Sequence, residues 1–105
     1  MSTIPGHIPT DEHVGTHLLY EDDEVRIWSI VLEPGETAAM HTHRLDYAVV
    51  TVKAGRNRRG NGDGSVDILE SERGAVRFDR VGQGQQHDLT NVGTTRYRNV
   101  IVELK

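Results

Sequence analysis

Two histidines set two apart are the first residues in this chain that could do chemistry. His41 and His43 flank Thr42 in the stretch MHTHRLDYAVV, Met40 to Val50. A β-strand sends successive side chains to opposite faces, so residues two apart share a face. Two imidazoles on one face can bind a single metal ion through their ring nitrogens. A carboxylate ligand would be sought just downstream, but the chain offers Asp46 and Tyr47 there, with no glutamate. Asp46 has two readings, a substitute ligand or an aspartate at the start of a strand bonded to nearby backbone, and the second is the commoner role. Four further histidines occur. His7, His13 and His17 fall in or near a polar N-terminal stretch and read as exposed or locally hydrogen-bonded. His87 follows the loop GQGQQ and precedes DLTN, which reads as the start of a strand.

The elements that must position these residues are short β-like runs broken by glycine-rich turns. They include His17 to Tyr20, about Val25 to Leu32, about Ala39 to His43, YAVVTVK, VDILE, AVRFD and the closing RYRNVIVELK. In the last of these, Val100, Val102 and Leu104 fall on one face and Ile101 on the other. Glu33-Pro34-Gly35-Glu36 is a turn, because proline presets φ and glycine tolerates positive φ. AGRNRRGNGDGS reads as a solvated turn or hairpin loop, which takes in the one basic cluster, Arg56, Arg58 and Arg59. No window longer than about ten residues carries a helical stripe. The pattern is all-β, an antiparallel sandwich or barrel with an inside face that His41 and His43 share. Trp28 and Phe78 are assigned to the core.

Length and composition narrow the class. The chain has 105 residues, 35% hydrophobic and 27% charged, which fits one small globular domain. Residues 1–16 read as an N-terminal arm, flexible or packed on a partner subunit, and 17–105 as the barrel. No apolar run is long enough to span a bilayer, and the N-terminus has no basic and apolar leader, so no membrane segment or signal peptide is expected. There is no cysteine, which excludes thiolate sites and makes the cytoplasm the default location. A net charge of -4 argues against a nucleic-acid surface.

A resemblance now joins these observations. Gly35, five residues, His41-Thr42-His43 and later Gly55 resemble the first motif of the cupin superfamily. Gly74, followed much later by His87, three residues and Asn91, resembles the second. EVRIWSIVLEPGE, HTHRLDYAVV and VIVELK look like small single-domain cupins of the β-alanine degradation protein type. The resemblance implies a double-stranded β-helix, or jelly-roll, barrel. It also implies a divalent ion (Fe, Mn, Ni or Zn) held by His41, His43 and His87. Two departures stand out. The glutamate of the first motif falls on Tyr47 or on Ala48, and counting back from Gly55 favours Ala48. The proline of the second motif is Arg80.

Three neutral imidazoles leave positions open on an ion, the layout of catalytic sites. Without the glutamate, the ion keeps its full charge. One extra unit charge at roughly 4 Å changes an anion's interaction by about 4 kcal/mol at an effective dielectric of about 20. The expected ligand is therefore a small anionic chelator such as a carboxylate. Tyr47 is a candidate general acid, since a nearby cation lowers a phenol's pKa, and its other reading is an aromatic packed at the barrel mouth. Asn91 reads as supporting a turn or the histidine ligand His87 from behind, rather than touching substrate. Two functions follow: a metal-dependent dioxygenase, lyase or isomerase on a small carboxylate-bearing metabolite, or a non-catalytic sensor cupin, metal-free or not. Exposed sheet edges point to a homodimer in either case.

Overall fold

Runs of β-branched residues between glycine turns become strands in a computed structural model that describes residues 4–105. They are β1 (His17–Glu21), β2 (Val25–Leu32), β3 (Thr37–His43), β4 (Tyr47–Lys53), β5 (Gly55–Gly60), β6 (Val66–Ser71), β7 (Val76–Asp79), β8 (Gln85–Asn91) and β9 (Tyr97–Leu104). They form a five-stranded sheet in the order β1-β2-β9-β4-β7 and a four-stranded sheet in the order β3-β8-β5-β6. Every pairing between these strands is antiparallel. The two sheets enclose one interior, the jelly-roll barrel expected from the sequence. Among the described residues, no helix is long and apolar enough to cross a membrane.

Alternation decides what faces inward. Trp28, Ile30 and Leu32 of β2 and Ile101 of β9 are buried in the core, together with Leu89 and Tyr97. On β4 and β9 the alternate residues Ala48, Val50, Val100 and Val102 are only partly buried. β5 and β7 invert the usual rule. On β5 the inward residue Asn57 is 1% exposed, and Arg59 has its Nε buried. On β7, Arg77 borders the interior although its side chain is 44% exposed, Val76 at the strand's start borders it too, and Phe78 is exposed and does not. Phe78 is thus not a core residue. The alternation that turns Arg77 inward turns it outward, with the Arg80 guanidinium 5.3 Å from its ring centroid. The stretch assigned to a solvated loop supplies β5, paired with β6 from Gly55↔Ser71 to Gly60↔Val66. Gly55 permits a close approach: a Cβ there would meet Tyr97 Cδ1 at 2.8 Å.

The segment before β1 packs on its own barrel. Ile8 and Val14 are 3% and 0% exposed and belong to the core cluster. A 3-10 turn at Thr10–Glu12 follows Pro9. Thr16 N–H donates to Ser29 O at 2.9 Å, and the His13 ring lies 5.8 Å from that of Trp28. Arg44 reaches Asp11 and Glu12 at 3.4 Å each. Two apolar residues hidden in a polar stretch thus make this an end cap of the barrel, where an arm was expected. Residues 1–3 of that arm lie outside the described residues.

Candidate metal centre

Period two puts His41 and His43 on the inner face of β3, and the antiparallel register sets His87 of β8 directly across from His41. All three are buried, at 3%, 1% and 7% exposure. Their ring nitrogens converge. His41 Nε2 lies 3.1 Å from His43 Nε2, which lies 2.9 Å from His87 Nε2. His41 Nδ1 lies 2.8 Å from Ala39 O. A carbonyl only accepts, so Nδ1 carries the proton and Nε2 presents its lone pair inward. His43 Nδ1 and His87 Nδ1 are buried with no partner. Burial pushes all three imidazoles toward the neutral form, His43 to about 2 and His87 to about 3.

These observations test the fit of an ion. One neutral His43 cannot donate a single Nε2 proton well to two neighbouring nitrogens, so imidazoles alone leave the convergence unsatisfied. A cation satisfies it, and neutral imidazole is the form that binds metal. Nitrogens about 2.0–2.1 Å from one ion are about 2.9 Å apart at right angles and about 3.4 Å apart in a tetrahedron. The two spacings here, 3.1 and 2.9 Å, fall in the range that one ion can bridge. The residues fit.

Tyr47, not Ala48, occupies the inner face beside the histidines. Its ring stacks on His43 with centroids 3.9 Å apart and planes at 18°. Its hydroxyl donates to Gln85 Oε1 at 2.6 Å. Burial and the neighbouring Asp79 carboxylate push its pKa above that of a free phenol. In the chain by itself it is a neutral donor, whereas the lowering expected from the sequence needs a cation. Ala48 faces the other way, cross-strand from Val102 and Phe78. Asp46 keeps its backbone role, since its Oδ1 accepts from Val81 N–H at 2.9 Å. No carboxylate joins the three histidines in a metal-sized group among the described residues. Asn91 is a turn support, donating to Leu32 O and Thr95 O and accepting from Gly93 N–H. His7, His13 and His17 bond to Glu21, Ile8 O and Thr16, away from the cluster.

The histidines line one side of a cavity of about 420 Å³, within the range of small-ligand pockets. Ile30, Val49, Leu69 and Leu89 form apolar wall, and Asn57, Arg59 and Arg77 add polar groups. Edge strands β6 and β7 border it without pairing to each other. Arg59 and Arg77 each hold an aspartate at 2.9 Å, Asp67 and Asp79. Both guanidinium groups help push His43 and His87 toward neutrality. Sequence reasoning missed these residues. Their signal was the alternation of polar side chains in GRNRRG and VRFD.

No protein-family profile matches the chain, and no curated protein matches it either. Solved structures do. A cupin domain from Bordetella pertussis Tohama I superposes with a TM-score of 0.76 at 23% identity, over 84% of this chain and 88% of that one. An RmlC-like cupin with a double-stranded β-helix fold from Methanocaldococcus jannaschii gives 0.68 at 17% identity, over 83% and 75%. A sugar phosphate isomerase of the cupin superfamily from Silicibacter pomeroyi DSS-3 gives 0.58 at 15% identity, over 79% and 52%. The fold of this chain is the double-stranded β-helix of the cupins.

Proposed function

We propose that this cupin-fold chain is a small metal-dependent enzyme acting on a carboxylate-bearing metabolite. The observation that carries the reading is the convergence of three buried, neutral imidazole nitrogens within 3.1 Å contacts. His41, His43 and His87 would hold the ion, and imidazole ligation suits Fe, Mn, Ni or Zn alike. When bound, the ion supplies Lewis-acid polarisation of a ligand oxygen, or redox chemistry if it is iron.

The chain's own residues do the rest. Ala39 O fixes the tautomer and orientation of His41. Arg59 and Arg77 offer N–H donors to an anion, although their aspartate partners cancel much of their charge. Tyr47 holds a proton on its hydroxyl beside His43, in reach of a substrate oxygen. The apolar wall keeps water from the reacting group. The known chemistry of dioxygenases, lyases and isomerases all fits such a site, and fold does not choose among them. The absence of cysteine suits a cytoplasmic setting.

The test is metal content after purification without chelator. Stoichiometric Fe, Mn, Ni or Zn in the native protein, lost in His41→Ala, supports the proposal. A native protein that carries no metal, and whose melting temperature ignores added Fe, Mn, Ni and Zn, overturns it. A binding module without turnover is the second reading. It is favoured by the missing glutamate of the first motif, since no carboxylate joins the three histidines among the described residues. Single-turnover product formation by the loaded protein separates the two.

A further inference from the structure

The polar groups of β5 describe the ligand more closely. Asn57 is 1% exposed and lines the cavity, yet its amide oxygen has no partner. Two residues on, Arg59 bonds Asp67 through one terminal nitrogen while its buried Nε has no partner. Buried polar groups in a native interior are almost always satisfied. Both residues line the space a ligand would fill. Strand pairing orders them relative to the histidines. Asn61 bridges to His87, and Asn57 pairs with Asn91, so Arg59 lies between the histidine level and Asn57.

We infer that Asn57 and Arg59 form a second recognition subsite, for a ligand with an anionic group at Arg59 and a hydroxyl or amide at Asn57. The neutral amide and its neighbours Leu69 and Leu89 suit an uncharged polar group and disfavour a second charge there. One two-residue strand step is about 7 Å, and an extended chain advances about 3.3–3.6 Å per three bonds. The two ligand groups are therefore about six bonds apart, as in a short ω-hydroxy acid. This inference rests on the reading of the cavity as a ligand site, but the subsite does not need the ion.

The test is calorimetric titration of metal-free and Ni-loaded protein with pentanoate, 5-hydroxypentanoate and glutarate. 5-Hydroxypentanoate binds about three- to tenfold more tightly than pentanoate, the worth of one neutral hydrogen bond. Glutarate binds no better than pentanoate. Asn57→Leu removes the preference for the hydroxy acid and keeps pentanoate binding. Asn57→Asp weakens all three, and Arg59→Gln does the same. Discrimination that survives in metal-free protein while Ni fails to load would sink the metal reading alone. Equal binding of pentanoate and 5-hydroxypentanoate in both forms overturns the subsite. So does an Asn57→Leu variant that keeps the preference.

Discussion

Gly15→Ala tests how the end cap is held. A Cβ at position 15 would lie 2.5 Å from Trp28 Cβ, 2.9 Å from Ser29 O and 3.2 Å from Trp28 Cγ. Carbon atoms pack at about 3.5–4.0 Å, so the segment must retreat by about an ångström or more. Trp28 cannot yield instead, because it is fully buried and its indole N–H is fixed on Glu103 Oε1 at 2.6 Å. Overpacking of this kind costs about 1–3 kcal/mol. The loss has a ceiling, because the segment can lift off and expose Ile8 and Val14 at about 1.5–3 kcal/mol each. For a domain of this size, one kcal/mol lowers the melting temperature by about 4–8 °C. A loss of about 2 kcal/mol therefore appears as roughly 8–16 °C by circular dichroism. Gly6→Ala is the control, since nothing lies within 4 Å of its added Cβ, and it should melt within a degree or two of the native protein. If Gly15→Ala melts with the native protein, the cap is not packed on Trp28 as described.

Three further outcomes follow from buried or paired groups. Burial raises the pKa of Glu103, so the folded state holds its proton more tightly than the unfolded state does. Stability from this group is full below the unfolded carboxyl value and falls as pH rises toward the folded one. Glu103→Gln should therefore gain on the native protein between pH 4 and 8 in parallel melts, and a constant difference would contradict this. Glu21 runs the other way. Lys105, Arg26 and His7 outweigh its partial burial and hold its carboxyl down to about 2, so its contribution is present above the ordinary glutamate value and lost as pH falls toward 2. Native and Glu21→Gln proteins should converge in stability in urea titrations at low pH. Tyr47→Phe keeps the ring on His43 but loses the hydrogen bond to Gln85, so metal content should hold while stability drops by about 0.5–1.5 kcal/mol.

The fold and the histidines were legible because both rest on period-two patterns. Hydrophobic alternation in β2 and β9 and the His-x-His pair of β3 point where alternation says they must. β5 and β7 were misread for the same reason, since there the polar residues face the interior. A rule that sends charge to solvent turns Arg59 into a loop residue and Phe78 into a core residue. His87 was reached through its resemblance to a motif, because its placement depends on pairing β3 with β8 across 44 residues of chain. Spacing alone could not tell Tyr47 from Ala48, since a one-residue shift reverses the face. The cap escaped notice because Ile8 and Val14 are separated by polar residues that show no period.

The larger sheet carries a consequence for how the chain is made. β9, the last of the nine strands in chain order, lies between β2 and β4. Its contacts reach back to the beginning, as in the bond between Trp28 and Glu103, 75 residues apart. Until β9 leaves the ribosome, β2 and β4 lack the neighbour that lies between them, and their valine-rich edges stay open. At about 5–20 residues per second, the interval from β2 to β9 lasts several seconds or more. Closure through such distant contacts is slow. The nascent barrel therefore passes through a window of several seconds in which its larger sheet is still open at the centre.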